Sequence, residues 1–337
     1  MRTWYLIPFL LMAGIGLSQV SNEQTGGCIG CFSEPQSTLL FREAFFEPDR
    51  VYDELNLVTP SGSFTVLQLP GWVGQHTSPL PAISPSGDRV AWSLLFMLNA
   101  DIVKCDPSNR RWCDLKPKPI YKTVMGVYSV RDKTWKQYGD FCKVGSAAFS
   151  PDGKRIAFTK SGDALCTNVF GDEKLMILDL EKGQMTPVPG PGSIDWITQL
   201  SWSPDGKFLA GTGGHGAGQI VLIDVATGAE KTIAEGSDPS WSPKGDWIAY
   251  ALTVRCMIIH PDGTGARSVL EKRHRWMNWT LDAPIVWSPD GERLLLNQRQ
   301  VDGTHTRVIT VDLATGHAVL NSKDGEVVSG WVPYTGK

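Results

Sequence analysis

Histidine, cysteine, serine and acidic side chains are all present in this chain, and their spacing decides what chemistry they can perform. Six histidines, His76, His215, His260, His274, His305 and His317, are scattered, with no H-x-x-x-H pair and no His/Asp cluster at ligand spacing, so no metal site is expected. No G-x-S-x-G nucleophile elbow occurs. The glycine-rich run at 212–218 lacks the Lys-Ser/Thr ending and following helix of a phosphate loop, and reads as a surface loop. No catalytic residue and no cofactor are expected from these features. The serines and acids that recur do so together: Ser-Pro pairs at 84–85, 150–151, 203–204, 242–243 and 288–289, and acids at Asp179, Asp224 and Asp312. Residues that return with every repeat serve the repeat, by capping turns and packing neighbours.

Two clusters break the repeat. One is Asn109-Arg110-Arg111-Trp112, and the other is Lys272-Arg273-His274-Arg275-Trp276. Arg and Trp are the side chains enriched at protein-binding hot spots. Arg110, Arg111, Trp112, Arg273, His274, Arg275 and Trp276 are therefore the candidate binding residues, the bland alternative being two solvated basic loops.

With 32 Lys and Arg against 35 Asp and Glu, the formal net charge of −3 argues against binding nucleic acid through phosphate neutralisation. Thirty-five glycines, 22 prolines and 13 tryptophans, with no long amphipathic helical period, suit short strands and tight turns. At the N-terminus, Arg2 precedes an apolar stretch over 4–17 that is interrupted by Pro8. Such a stretch is short of the roughly 20 residues a membrane span needs. Residues 1–18 are thus expected to be an export signal, 19–37 a tail and 38–337 the folded domain, with no stable membrane span after signal removal. The expected location is periplasmic or secreted, with anchoring by the N-terminal segment as the alternative.

Self-comparison reveals the elements that must position everything else. Five segments share one form: SPSG then DRVAWS from Ser84, SPDG then KRIAFT from Ser150, SPDG then KFLAGT from Ser203, SPKG then DWIAYA from Ser242, and SPDG then ERLLLN from Ser288. Phe149, Trp202, Trp241 and Trp287 precede four of these serines. Proline presets a turn, glycine takes the backbone shape that a β-carbon resists, and the apolar run returns as a strand. A second hairpin follows each motif, with Gly183, Gly228 and Gly316 at its turn in three of the repeats. Each repeat thus has four strands, A to D, the makeup of one propeller blade. A sixth blade can be assembled from the chain ends, with strand A around Trp331 and strands B, C and D at 38–43, 55–59 and 64–69. Closing the ring in this way buries both terminal sheet edges, so an all-β, six-bladed β-propeller is expected.

These motifs resemble the WD40-like (PD40) repeats of TolB-type propellers and of the propeller domains in some serine peptidases. The resemblance covers roughly 38–336 and is specific for fold, hardly for function. TolB proper carries an α/β domain before its propeller, whereas only 19–37 separate the signal from the first strand here, so its Pal-binding role is not carried over. Propeller peptidases add a hydrolase domain that this chain does not show.

In this strand order the A–B and C–D turns share one face, and the B–C and D–A loops share the other. Cys105 and Cys113 lie in the B–C insertion of blade one, 94–122, while Cys142 and Cys166 lie in the next D–A loop and the B–C loop of blade two. All four crowd one sector of one face, which predicts Cys105–Cys113 and Cys142–Cys166 disulfides, with the swapped pairing open. Cys28 and Cys31 form a C-x-x-C pair on the tail, read as a local disulfide or loose thiols. Cys256 opens a C strand as a small buried hydrophobe. The sequon Asn278-Trp279-Thr280 matters only in a eukaryotic secretory pathway. Together these readings predict a non-enzymatic, exported interaction or scaffold module for an envelope or extracellular protein. The alternative is a lyase, a hydrolase or a small-ligand binder with its site over the central channel.

Overall fold

A computed structural model describes residues 37–47, 50–59, 62–70, 81–97, 121–141, 143–161, 174–190, 197–213, 218–269, 279–301, 305–320 and 327–333. These residues form six four-stranded antiparallel sheets, in keeping with the six expected blades. Among them there is no helix, and hence none long and apolar enough to cross a membrane.

Strands A to D of blade one are Ala82–Ile83, Arg89–Met97, Tyr121–Ser129 and Thr134–Phe141. Blade two has Lys143–Phe149, Arg155–Ser161, Lys174–Asp179 and Met185–Pro187. Blade three has Thr198–Trp202, Phe208–Gly213, Gln219–Asp224 and Glu230–Glu235. In blade four the strands are Ser237–Trp241, Ile248–Leu252, Arg255–Ile259 and Arg267–Ser268. Blade five contains Trp279–Trp287, Arg293–Gln300, Thr306–Asp312 and Ala318–Leu320. Blade six takes its A strand from the C-terminal end, Val327–Pro333, and its B, C and D strands from the N-terminal end, Ser37–Glu47, Arg50–Thr59 and Gly62–Pro70.

The A strands meet in sequence around a ring, each touching the next, and blade six touches both blade five and blade one. Leu39 pairs with Trp331, so the expected closure by the chain ends holds residue by residue. The core lies between the blades. Met125, Val127, Phe149, Ile156 and Phe158 join blades one and two, and Leu175, Ile177, Trp202, Leu209 and Ile223 join two and three. Ala210, Ile220, Ile248 and Ile259 join three and four; Ala249, Ile258, Trp287, Leu294 and Ile309 join four and five. Cys256 belongs to this last cluster as a buried free thiol, and burial pushes its pKa up, so it behaves as a small hydrophobe.

The blade-one insertion is shorter than the expected 94–122. Leu94 pairs with Val124 and Met97 with Tyr121, so strands B and C continue into both of its flanks. Likewise, strand A of blade five begins at Trp279, inside 272–282, the segment around the second cluster that the sequence reads as a D–A loop.

Candidate functional site

Each Ser-Pro turn is a closed hydrogen-bond knot. In blade two the Ser150 hydroxyl accepts the Arg155 amide at 2.9 Å and donates to Asp152 Oδ1 at 2.5 Å, while the Gly153 amide donates to the Ser150 carbonyl at 2.8 Å. The same knot ties Ser203 to Asp205 and Ser288 to Asp290. Where the third position is not acidic, the carboxylate comes from two residues downstream: Ser84 donates to Asp88 at 2.8 Å, and Ser242 to Asp246 at 2.7 Å. All five serines are buried. The Ser150 and Ser203 hydroxyls, followed by turn amides, hold Asp152 and Asp205 below the usual carboxylate range. For Asp290, burial is the largest single effect and pushes upward, but Ser288, the Glu292 amide and Arg293 together outweigh it.

The C–D turns are equally self-contained. Asp179 accepts the amides of Glu181 and Lys182, Asp224 those of Ala226 and Thr227, and Asp312 the amide and hydroxyl of Thr315. Gly183, Gly228 and Gly316 close these turns at φ of 66°, 72° and 67°. The recurring serines and acids therefore act as caps.

Other repeated side chains lock blade to blade. The Trp202 indole N–H donates to the Ala148 carbonyl of the preceding blade at 3.1 Å, and that of Trp287 to the Ser240 carbonyl at 2.9 Å. Arg155 lies over the Trp202 ring at 5.0 Å, and Arg89 reaches the Gly153 carbonyl at 3.3 Å. The buried indole nitrogen of Trp241, at the equivalent place, has no partner among the described residues.

The opposite face is where the repeat loosens. The A strands of blades two to six each carry a register irregularity, near the start of the strand in blades two, three and four. In blades three and four the bulged residues Gln199 and Asp238 have left-handed backbones, at φ of 47° and 56°. The hydroxyls of Thr198 and Ser237 grip their side chains at 2.5 and 2.7 Å. The amides displaced from the ladder find hydroxyls on the preceding blade: Leu200 bonds Ser146 Oγ and Asp238 bonds Thr212 Oγ1, both at 2.9 Å. Blade five contributes an aromatic-cation cluster at this end. The Arg307 guanidinium stands 3.7 Å from the Trp279 ring centre, and its Nε donates to Gln298 Oε1 at 2.9 Å. Burial lowers the pKa of Arg307 to about 10.

The candidate binding residues Arg110, Arg111, Trp112, Arg273, His274, Arg275 and Trp276 lie outside the described residues, as do Cys105, Cys113, Cys142 and Cys166. What is described are the stems of their loops: Met97 and Tyr121 around the first, and Ser268 and Trp279 around the second. Among the described residues, no three His, Cys, Asp or Glu side chains are grouped to hold a metal ion. Arg307 and Gln298 escaped the sequence reading because their link to Trp279 is tertiary. The only signal was the tryptophan itself.

At the level of sequence, no curated protein matches the chain. The WD40 family (WD domain, G-beta repeat) matches residues 188–224, which run through blade three as far as Asp224. Among solved structures, TolB from Acinetobacter baumannii is similar at a TM-score of 0.61 and 19% identity, over 89% of this chain and 67% of that one. A putative TolB from Agrobacterium tumefaciens gives 0.60 and 15%, over 89% and 97% of the two chains. A puromycin hydrolase gives 0.52 and 16%, over 83% of this chain and 43% of that one, so the likeness spans proteins of different activity and speaks to fold. With the sheets, ring contacts and recurring turns already described, the chain is an all-β propeller whose repeats are consistent with the TolB-type, WD40-like kind.

Proposed function

We propose that this chain is an exported propeller that serves as a protein-interaction or scaffold module for an envelope or extracellular partner. Its contacts are made on the B–C/D–A face, through Arg110, Arg111 and Trp112 and through Arg273, His274, Arg275 and Trp276. The observation that carries this reading is the Trp279–Arg307 stack at 3.7 Å, which pins the strand where the second of these loops rejoins the ring. The opposite face supports it by contrast, because the recurring Ser and Asp groups there are consumed by their own turns. Partner contacts then come from segments that depart from the repeat.

The test is capture of the native partner by the triple variants R110A/R111A/W112A and R273A/R275A/W276A. Truncating a hot spot typically costs about 2 kcal/mol, roughly a thirtyfold loss of affinity. Capture should fall by at least that factor with the melting temperature unchanged. Full capture by both variants would remove the interaction from this face.

A further inference from the structure

Thr253 and Val254 form the whole B–C connection of blade four, between Leu252 and Arg255, which pair across the hairpin. Two-residue hairpins favour Asn-Gly or Asp-Gly, because such turns need left-handed backbone. Two β-branched residues stand here instead, and Thr253 is held at a φ of 55°, where a branched β-carbon crowds the backbone. Its hydroxyl donates to the Leu252 carbonyl at 2.6 Å, and Val254 is left 51% exposed. Neither feature serves the blade itself, whose strands would turn more easily through Asn-Gly. Among the described residues, the exposed large apolar side chains are Val254, Val301, Val319 and Leu320. The first two mark the B–C connections of neighbouring blades, on one face of the ring.

We propose that these two tips, together with Arg255, are a contact surface for an acidic polypeptide partner, an inference that rests on the interaction role proposed above. Charge selects the occupant. Arg255 is exposed and meets no carboxylate among the described residues. Residues 270–278, which link the outer strand of blade four to the inner strand of blade five, add Lys272, Arg273 and Arg275 against Glu271, and Asp302 follows Val301. Cations therefore outnumber acids in these connections, although the chain as a whole carries a net charge of −3. The valines set a second requirement. Apolar neighbours that exclude water strengthen an Arg–carboxylate contact, as the surround of a hot spot does, so the partner must bring apolar side chains among its acids. A free anion or a uniformly charged chain meets only the first requirement. The strained turn then has a use: it fixes Val254 at the surface, where an Asn-Gly turn would present no apolar side chain.

Fluorescence anisotropy with labelled peptides tests this on the full chain. A peptide of alternating Glu and Leu should bind, and peptides alternating Lys with Leu or Glu with Ser should bind at least about tenfold more weakly. T253N/V254G writes the preferred turn into blade four, so it should hold or raise the melting temperature while weakening the Glu-Leu peptide at least about tenfold. R255E and V301N should weaken it by a similar factor, and V319N, on the outer strand of blade five, should leave it unchanged. The inference is overturned if the Glu-Leu peptide fails to bind, if it binds no better than the two control peptides, or if T253N/V254G and R255E both retain full affinity. A lower melting temperature for T253N/V254G would refute the strain argument. The wider role is read separately, through partner capture. Loss of capture in R273A/R275A/W276A with full peptide affinity in T253N/V254G and R255E keeps that role and discards this surface; full capture by both triple variants with weakened peptide binding in T253N/V254G and R255E does the reverse.

Discussion

The position of the acid in the Ser-Pro turn can be moved by mutation, because blades one and two solve the same turn in two ways. Blade two reads Ser-Pro-Asp-Gly-Lys-Arg and blade one reads Ser-Pro-Ser-Gly-Asp-Arg. Asp152→Ser removes the carboxylate that accepts the Ser150 hydroxyl at 2.5 Å and the Lys154 amide at 3.0 Å. Hydrogen bonds to a charged acceptor are worth about 1.5–3 kcal/mol, and this carboxylate is exposed, so the lower end, about 1.5 kcal/mol, applies. An unfolding entropy of about 2.1 cal/mol/K per residue over 337 residues turns that into a melting-temperature drop of roughly 2 °C. Adding Lys154→Asp rewrites blade two as blade one, where Ser84 donates to Asp88 at 2.8 Å. The second change also removes the Lys154–Glu181 ion pair at 3.1 Å, which is exposed and screened by solvent and so contributes little. The double variant should therefore recover most of the loss seen in Asp152→Ser. Lys154→Asp alone should destabilise the wild type, so a double-mutant cycle followed by calorimetry isolates the coupling. If Lys154→Asp lowers the melting temperature of Asp152→Ser still further, the two turn forms are not equivalent and the reasoning fails.

Four other outcomes follow from the same geometry. Trp202→Phe and Trp287→Phe each remove an inter-blade hydrogen bond and should cost about 1 kcal/mol, whereas Trp241→Phe removes an indole N–H without a partner and should be near neutral; equal losses at all three sites would contradict the locking role. Gly228→Ala would place a β-carbon 1.5 Å from the Pro189 carbonyl oxygen, so chemical denaturation should show a far larger loss than for Gly183→Ala, whose left-handed backbone alone costs about 1 kcal/mol. Asp152 is held low in the folded state, so its contribution is complete above the unfolded value of about 3.9 and is lost as pH falls through the lower folded pKa; Asp152→Asn should flatten the melting-temperature profile below pH 4, and an unchanged slope would sink the assignment. Peptide mapping without reductant should link Cys105 to Cys113 and Cys142 to Cys166 and leave Cys256 free, and seven free thiols in natively exported protein would overturn both the pairing and the export reading.

Much of this architecture is readable because propeller repeats write their turns into the chain. Proline and glycine at fixed offsets announced five A–B hairpins, and Gly183, Gly228 and Gly316 three C–D turns, since left-handed backbone there admits few alternatives. Even the split sixth blade was legible, because Trp331-Val332-Pro333 imitates Trp241-Ser242-Pro243 and the strands it lacks stand at the other end of the chain. The shifting carboxylate was present in the sequence as well, as Asp88 and Asp246 just after the turn glycines, but a motif fixed on its third position passes over it.

The unread features share a physical cause, which is that they join groups on different strands, and at the bulges on different blades. A strand read by period-two alternation gives no hint of a bulge, yet the A strands bulge, and the hydroxyls answering them stand 26 to 54 residues away in sequence, at Thr212 for Asp238 and at Ser146 for Leu200. Trp279 and Arg307 are likewise distant in sequence and adjacent only because strands A, B and C of blade five align them. Polar groups within one turn are committed to that turn, and those that cross blades are committed to closing the ring. On the proposed reading, what remains for a partner is then confined to the segments that depart from the repeat, around Arg110–Trp112 and Arg273–Trp276.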